Sequence, residues 1–225
     1  MIELPETSTL AQACENLPVF PLPGVVLFPH TVIRLHVFEP RYVELLKDCL
    51  SSDRLFALPQ ISSSSDVEEV TWLESPPFHS VAGIGYVLQS VAMPQERYNI
   101  AVLGVGTVAF VNELERDRGY RRMQGRLLEP AVLSQNQREQ FNRIRLLFAQ
   151  LLGRKELDSE MLSALLDEDR EPAQVANILL NMLVEEPLHR QQLLGQPDLN
   201  PVLEVVEERL MIVLSESLSS SESFA

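Results

Sequence analysis

The stretch Leu17-Pro-Val-Phe-Pro-Leu-Pro-Gly-Val-Val-Leu-Phe-Pro-His30, continued by Phe38-Glu-Pro-Arg-Tyr42, decides how this 225-residue chain folds. Apolar residues are interleaved with Pro18, Pro21, Pro23 and Pro29. Each proline removes a backbone donor and fixes φ, which excludes a buried helix or a long central strand and leaves short edge strands and turns. Between the two parts, Val32 to Phe38 alternates. Ile33, Leu35 and Val37 fall on one face and Arg34 and His36 on the other, as in a half-buried strand. Pro40 then suits a first helical position, and Tyr42, Leu45, Leu46 and Cys49 form an apolar helical stripe.

Outward from this core the signals stay β-like as far as Pro130. Arg54–Pro59 is an apolar strand candidate, and Ser62–Glu69 is a polar, acidic loop. His79–Met93 and Tyr98–Leu103 read as paired strands joined by Pro94–Arg97, and Thr107–Glu113 and Arg121–Leu128 as a second hairpin around Asp117–Gly119. Gly83, Gly85, Gly104 and Gly106 are expected at strand starts or turns, where bends need them. Many short strands at this spacing indicate a small barrel or a sandwich.

The pattern changes at Glu129-Pro130. Ser134 with Gln137 makes a capping box, and Phe141, Ile144, Phe148, Leu151 and Leu152 trace one helical face behind it. Further helices are expected around Met161–Leu166, from Pro172, from Pro187 and from Asn200-Pro201. The organisation implied is α+β: a loose leader over 1–16, a β-rich unit over 17–130, a helical bundle over 131–214 and a fraying serine-rich tail over 215–225.

Composition narrows the function classes. The 18 basic and 32 acidic side chains give a formal charge of −14, which works against binding polyanions. No apolar run approaches the ~20 residues that cross a bilayer, and the N-terminus, with Glu3, Glu6 and Glu15, has no secretion-signal pattern. Two cysteines, Cys14 and Cys49, make no disulfide framework, so a cytoplasmic chain with reduced thiols is expected.

The run Leu17, Pro18, Phe20, Pro21, Leu22, Val26, Leu27, Phe28, Pro29, followed by Phe38, Glu39, Pro40, Arg41 and Tyr42, resembles the opening of the Lon protease N-terminal, substrate-binding domain family. Asp167–Pro172 with Ala176, then Leu188–Leu194 and Asp198, is similar to that family's helical part, so the resemblance covers residues 15–214. It implies a PUA-like β-barrel of about six strands plus one helix, followed by a C-terminal helical bundle. One departure is Gly104–Phe110, which lacks the basic residue often found in the family's G-x-x-R-F-type run.

In a complete protease of this family the domain precedes an ATPase module and a protease module. Lys47 and Lys155, the two lysines of the chain, fit neither a phosphate-binding G-x-x-x-x-G-K-[ST] loop nor a serine–lysine pair. His30, His36, His79 and His189 are scattered without metal-ligand spacing, so no metal and no cofactor is expected. Cys49 reads as a core residue rather than a nucleophile, and Glu39 with Arg41 as a helix start rather than a base and an anion clamp. Gly83-Ile-Gly85 and Gly104-Val-Gly106 lack the remainder of a dinucleotide fingerprint.

The resemblance therefore implies a stand-alone, non-enzymatic protein-binding module, with an adaptor or regulator role in protein quality control as one form of it. Its partner would be an unfolded or extended polypeptide or a partner protein. Phe28, Pro29, Phe38, Glu39, Arg41 and Tyr42 are the candidate binding residues, set at strand ends beside a groove between barrel and bundle. An edge left open by prolines could take an added peptide strand. The alternative is an RNA- or small-molecule-binding PUA-like barrel using Arg116, Arg118, Arg121, Arg122 and Arg126, although Glu113, Glu115, Asp117 and Glu129 interleave with them.

Overall fold

The structure, a computed structural model, describes residues 4–62, 76–129, 133–152, 170–196 and 198–222. The loop expected at 62–69 (beyond Ser62) and the short helix expected around Met161–Leu166 lie outside them. Six strands and six helices are present among the described residues, an α+β fold. The chain divides into two compact units, Met1–Glu129 with Pro187–Gly195, and Pro130–Glu186 with Gln196–Ala225.

The first unit is built on one six-stranded sheet. Its strands are β1 (Leu17–Val19), β2 (Val32–Val37), β3 (Leu55–Leu58), β4 (Val81–Met93), β5 (Arg97–Glu113) and β6 (Arg121–Leu128). The order is β2-β5-β4-β3-β1-β6, with an additional β5–β6 pairing. The two expected strands Tyr98–Leu103 and Thr107–Glu113 are one continuous 17-residue strand. Its first half pairs with β2 and its second half with β6, while β4 runs along the opposite edge.

The glycines explain that continuity, and they lie within the strands rather than at their starts. A Cβ on Gly83 would collide with the carbonyl oxygen of Leu27, and one on Gly104 with that of Phe28. The proline-punctuated loop thus runs directly against β4 and β5, and only glycine admits its backbone. The loop is tied down where it enters β2. Thr31 donates its side-chain hydroxyl to Phe28 O at 2.7 Å, His30 N–H donates to Gly104 O at 2.8 Å, and Gly104 N–H donates to Thr31 O at 2.9 Å.

Each face of β3 feeds a different apolar cluster. Phe56 and Leu58 join Val37, Ile100, Val102 and the stripe of helix α2 (Pro40–Leu50), namely Tyr42, Val43, Leu45, Leu46 and Cys49. Leu55 and Ala57 join Val19, Ile84, Val108 and the leader's Leu10 and Cys14. The leader is therefore not loose. Thr7–Ala13 forms helix α1, and Cys14 O accepts Gly125 N–H at 2.8 Å. Two buried residues, too few to show as a stripe in the sequence, are enough to dock it.

In the second unit α3 (Gln135–Leu152), α4 (Pro172–Leu183) and α6 (Asn200–Glu222) pack on one another. The capping box forms as expected: Gln137 N–H donates to Ser134 Oγ at 3.3 Å, and Ser134 N–H to Gln137 Oε1 at 2.7 Å. Helix α6 runs to Glu222, beyond the point at which the tail is expected to fray, with Leu210 and Leu214 still buried. Helix α5 (Pro187–Leu194), expected in the helical half, belongs to the first unit, where Gln191 Nε2 donates to Val81 O at 2.9 Å.

Candidate functional site

The alternation of β2 puts Ile33, Leu35 and Val37 against the α2 cluster and leaves Val32, Arg34 and His36 on the opposite face. The register extends that second face across three strands. Arg34 pairs with Ala101, which pairs with Gln89; His36 pairs with Asn99, which pairs with Val91; Arg97 pairs with Met93. A β-bulge at Leu88 restores this phase in β4. Over the face lies a groove of about 360 Å³, lined among others by Arg34, His36, Gln89, Val91, Asn99 and Ala101.

The apolar residues of this face are open to solvent: Val32 is 52% exposed, Phe38 58%, Val91 46% and Met93 40%. Phe38 stacks on His36 with ring centroids 5.8 Å apart, and His36 Nδ1 lies 2.7 Å from Asn99 Oδ1. Arg34 and Arg97 are paired with no carboxylate among the described residues. At the hairpin turn, Glu96 is held by Lys47 at 3.1 Å. The edge strand itself is open: β2 has β5 as its one strand neighbour among the described residues.

The six residues singled out from the sequence separate sharply. Phe28 is 1% exposed and Tyr42 is 5% exposed. Tyr42 stacks on Phe20 at 4.2 Å, and burial pushes its hydroxyl up to about 12. These two are core side chains and cannot line a surface; they support it from beneath. Pro29 is half-buried in the turn before β2. Glu39 and Arg41 form an ion pair at 2.8 Å, and the Arg41 guanidinium lies 4.6 Å from the Tyr42 ring centroid, which fixes the start of α2. Phe38 projects outward, and the Glu39 side chain, though paired, is also 41% exposed. Val32, Arg34, His36, Val91, Met93 and Arg97 were not singled out, although the alternation of β2 was a legible signal for the first three.

Other candidates are bound up in structure. The Cys49 thiol is buried, donates to Leu55 O at 3.2 Å and is pushed up to about 12 by burial, with Asp53 and Asp48 adding to the rise. Such a thiol is neutral at physiological pH and a poor nucleophile. The arginines of the β5–β6 hairpin are mostly engaged. Arg121 grips both oxygens of Glu113 at 2.8 and 2.7 Å, holding that carboxyl below its ordinary range. Arg122 bonds Asp117 at 2.5 Å and Arg118 lies 3.5 Å from Asp48. Among the described residues no group of three or more His, Cys, Asp or Glu could hold a metal ion, and no helix is long and apolar enough to cross a membrane.

Comparison with known proteins gives the same frame. Residues 16–215 match the model of the ATP-dependent protease La (LON) substrate-binding domain. Lon protease of Escherichia coli is 25% identical over 194 residues, 84% of this chain and 24% of that protein. Lon protease 2 of Sorangium cellulosum is 30% identical over 92 residues, 41% of this chain and 11% of that protein. The chain thus spans a quarter or less of the length of these curated relatives. Among solved structures, the N-terminal domain of Mycobacterium avium complex Lon protease superposes with a TM-score of 0.68 at 12% identity, covering 87% of this chain and 98% of that one. The Lon N-terminal domain protein from Xanthomonas campestris gives 0.57 at 22% identity, covering 89% and 97%. With the family model spanning nearly all of its length and both structural neighbours sharing its fold, this chain belongs to the LON substrate-binding domain family.

Proposed function

We propose that this chain is a non-catalytic, cytoplasmic polypeptide-binding module that recognises unfolded or extended segments, as an adaptor or regulator in protein quality control. The observation that carries this reading is the β2 face: a strand edge with no outer strand partner among the described residues, flanked by the exposed Val32 and Phe38, with Val91 and Met93 exposed two strands farther in on β4. A strand edge offers main-chain hydrogen bonds to any sequence, and neighbouring apolar side chains select for exposed hydrophobic segments. That combination suits a binder that must accept many chains. Family membership supports the same reading.

The closed path of pairings β5–β4–β3–β1–β6–β5 supports a barrel of the PUA-like kind for the first unit, and the mutual packing of α3, α4 and α6 supports a helical bundle for the second. The RNA-binding alternative is weaker, because Arg118, Arg121 and Arg122 are already opposed by carboxylates. Of the residues chosen from sequence, Phe38 is the one we assign to direct contact, with Pro29, Glu39 and Arg41 shaping the ends of β2.

A direct test is fluorescence anisotropy of a labelled, permanently unfolded protein titrated with the chain. Saturable binding that weakens at least tenfold in Phe38→Asp, with the folded state unchanged by circular dichroism, is expected. Absence of binding, or salt-sensitive RNA binding lost in the Arg121→Glu, Arg122→Glu double variant, would overturn the reading.

A further inference from the structure

We propose that the open edge of β2 selects, among extended polypeptides, segments that combine apolar and acidic side chains, taking them up as an added strand. This rests on the polypeptide-binding reading above and specifies its substrate class.

Three observations lead to it. The edge is regular: six consecutive residues of β2, Val32 to Val37, keep an unbroken register with β5. It holds no proline and no bulge, two common devices that prevent strand addition. In an antiparallel pair, alternate residues turn their N–H and C=O groups away from the partner, so this edge presents a ready ladder.

The charge on the adjoining face runs opposite to that of the molecule. The chain as a whole carries −14. Yet Arg34 and Arg97, with His36 between their rows, sit on a face whose other members, such as Val32, Asn99, Gln89 and Val91, are all uncharged. Neither arginine is opposed by a carboxylate among the described residues, whereas Arg41, Arg118, Arg121 and Arg122 all are. Carboxylates on an added strand would supply the missing partner of Arg34, because opposite charges on neighbouring strands attract, while Arg97 on β5 acts from one strand farther in.

The same charges argue against a second copy as the occupant. Two-fold pairing of β2 with itself would bring two copies of Arg34 together, and like charges facing each other across strands are destabilising. Arg34 is the arginine of β2 itself, so acidic residues of the bound segment belong beside it.

The test uses the full chain and three labelled peptides of about nine residues that alternate valine with glutamate, glutamine or lysine. At low salt the glutamate peptide should bind about fivefold more tightly than the glutamine peptide, with the lysine peptide weakest. The Arg34→Glu, Arg97→Glu double variant should reverse that order, with unchanged circular dichroism and melting temperature. Equal binding of all three peptides, or preference for lysine in the wild-type chain, would overturn the charge selection while leaving polypeptide binding intact. Capture of an unfolded protein without any of the three peptides would overturn strand addition at β2. Failure to bind any polypeptide would overturn the underlying reading as well. Protection of β2 amides that grows with protein concentration in the absence of peptide would show that a second copy occupies the edge, and would also contradict the proposal.

Discussion

His36 on β2 and Asn99 on β5 face each other in register, with Nδ1 and Oδ1 2.7 Å apart. This side-chain contact crosses the last pair of strands in the sheet and sits beneath the stacked ring of Phe38. It ties the edge strand to β5 at the position where a partner strand would have to align. Asn99→Ala should leave global stability within about 0.5 kcal/mol, as for other exposed polar contacts. It should also speed amide exchange in Val32–Val37, measurable by mass spectrometry.

Phe38 and Tyr42 lie four residues apart and should respond in opposite ways. Tyr42→Ala removes a ring stacked on Phe20 in the core and should cost about 3–5 kcal/mol in urea denaturation. Phe38→Ala, at a site 58% exposed, should cost well under 1 kcal/mol and show its effect in polypeptide binding instead. Comparable losses of stability in both variants would show that Phe38 is a core residue.

Gly104→Ala should be among the most damaging single-methyl additions in the chain. The new Cβ meets the backbone carbonyl of Phe28, which cannot rotate aside like a side chain. Overpacking on this scale costs about 3 kcal/mol or more. Gly24→Ala, where Pro187 is the one nearby contact at 3.9 Å, should be milder and limited to the strain of its φ of +67°. Equal urea midpoints for the two variants would contradict the close loop–strand approach.

Alkaline pH should unfold the first unit earlier than its acid content alone suggests. Burial raises the thiols of Cys14 and Cys49 from an ordinary 9.0 to about 11 and about 12. The folded state therefore holds these protons more tightly than the unfolded state. The stabilisation is fully present below pH 9 and is lost as pH rises through about 11 to 12. Urea midpoints should fall between pH 8.5 and pH 11, and less steeply in Cys49→Ala. Neither thiol should react appreciably with a disulfide reagent at pH 7 until denaturant is added.

Ser134→Ala should lower the stability of the helical unit by about 1 kcal/mol, because it opens the reciprocal cap at the start of α3. Ser134→Asp should restore most of that loss.

Much of this architecture was legible in the residues. The alternation of β2, the α2 stripe and the Ser134–Gln137 cap are local patterns, and each appears in the structure where the sequence puts it. Three features depend on distant parts of the chain and were not legible. Gly104-Val-Gly106 looks like a turn, but it sits inside β5 because the Val26–Phe28 loop presses on it from far away in sequence. The leader folds because Leu10 and Cys14 find a pocket made by β3, β4 and β6. Phe28, Phe38 and Tyr42 are equivalent as aromatics at element ends. Position on the α2 stripe already marked Tyr42 as buried, and the β2 alternation puts Phe38 on the outward face with Arg34 and His36, whereas no local pattern marked Phe28 as buried.

The most direct test of the account is hydrogen–deuterium exchange of the whole chain with and without a saturating, permanently unfolded protein. If β2 is the grip, the amides of Val32–Val37 should gain protection while those of β6 and α3 do not change. Binding accompanied by protection on β6 or α3, with β2 exchanging as in the free chain, would contradict it.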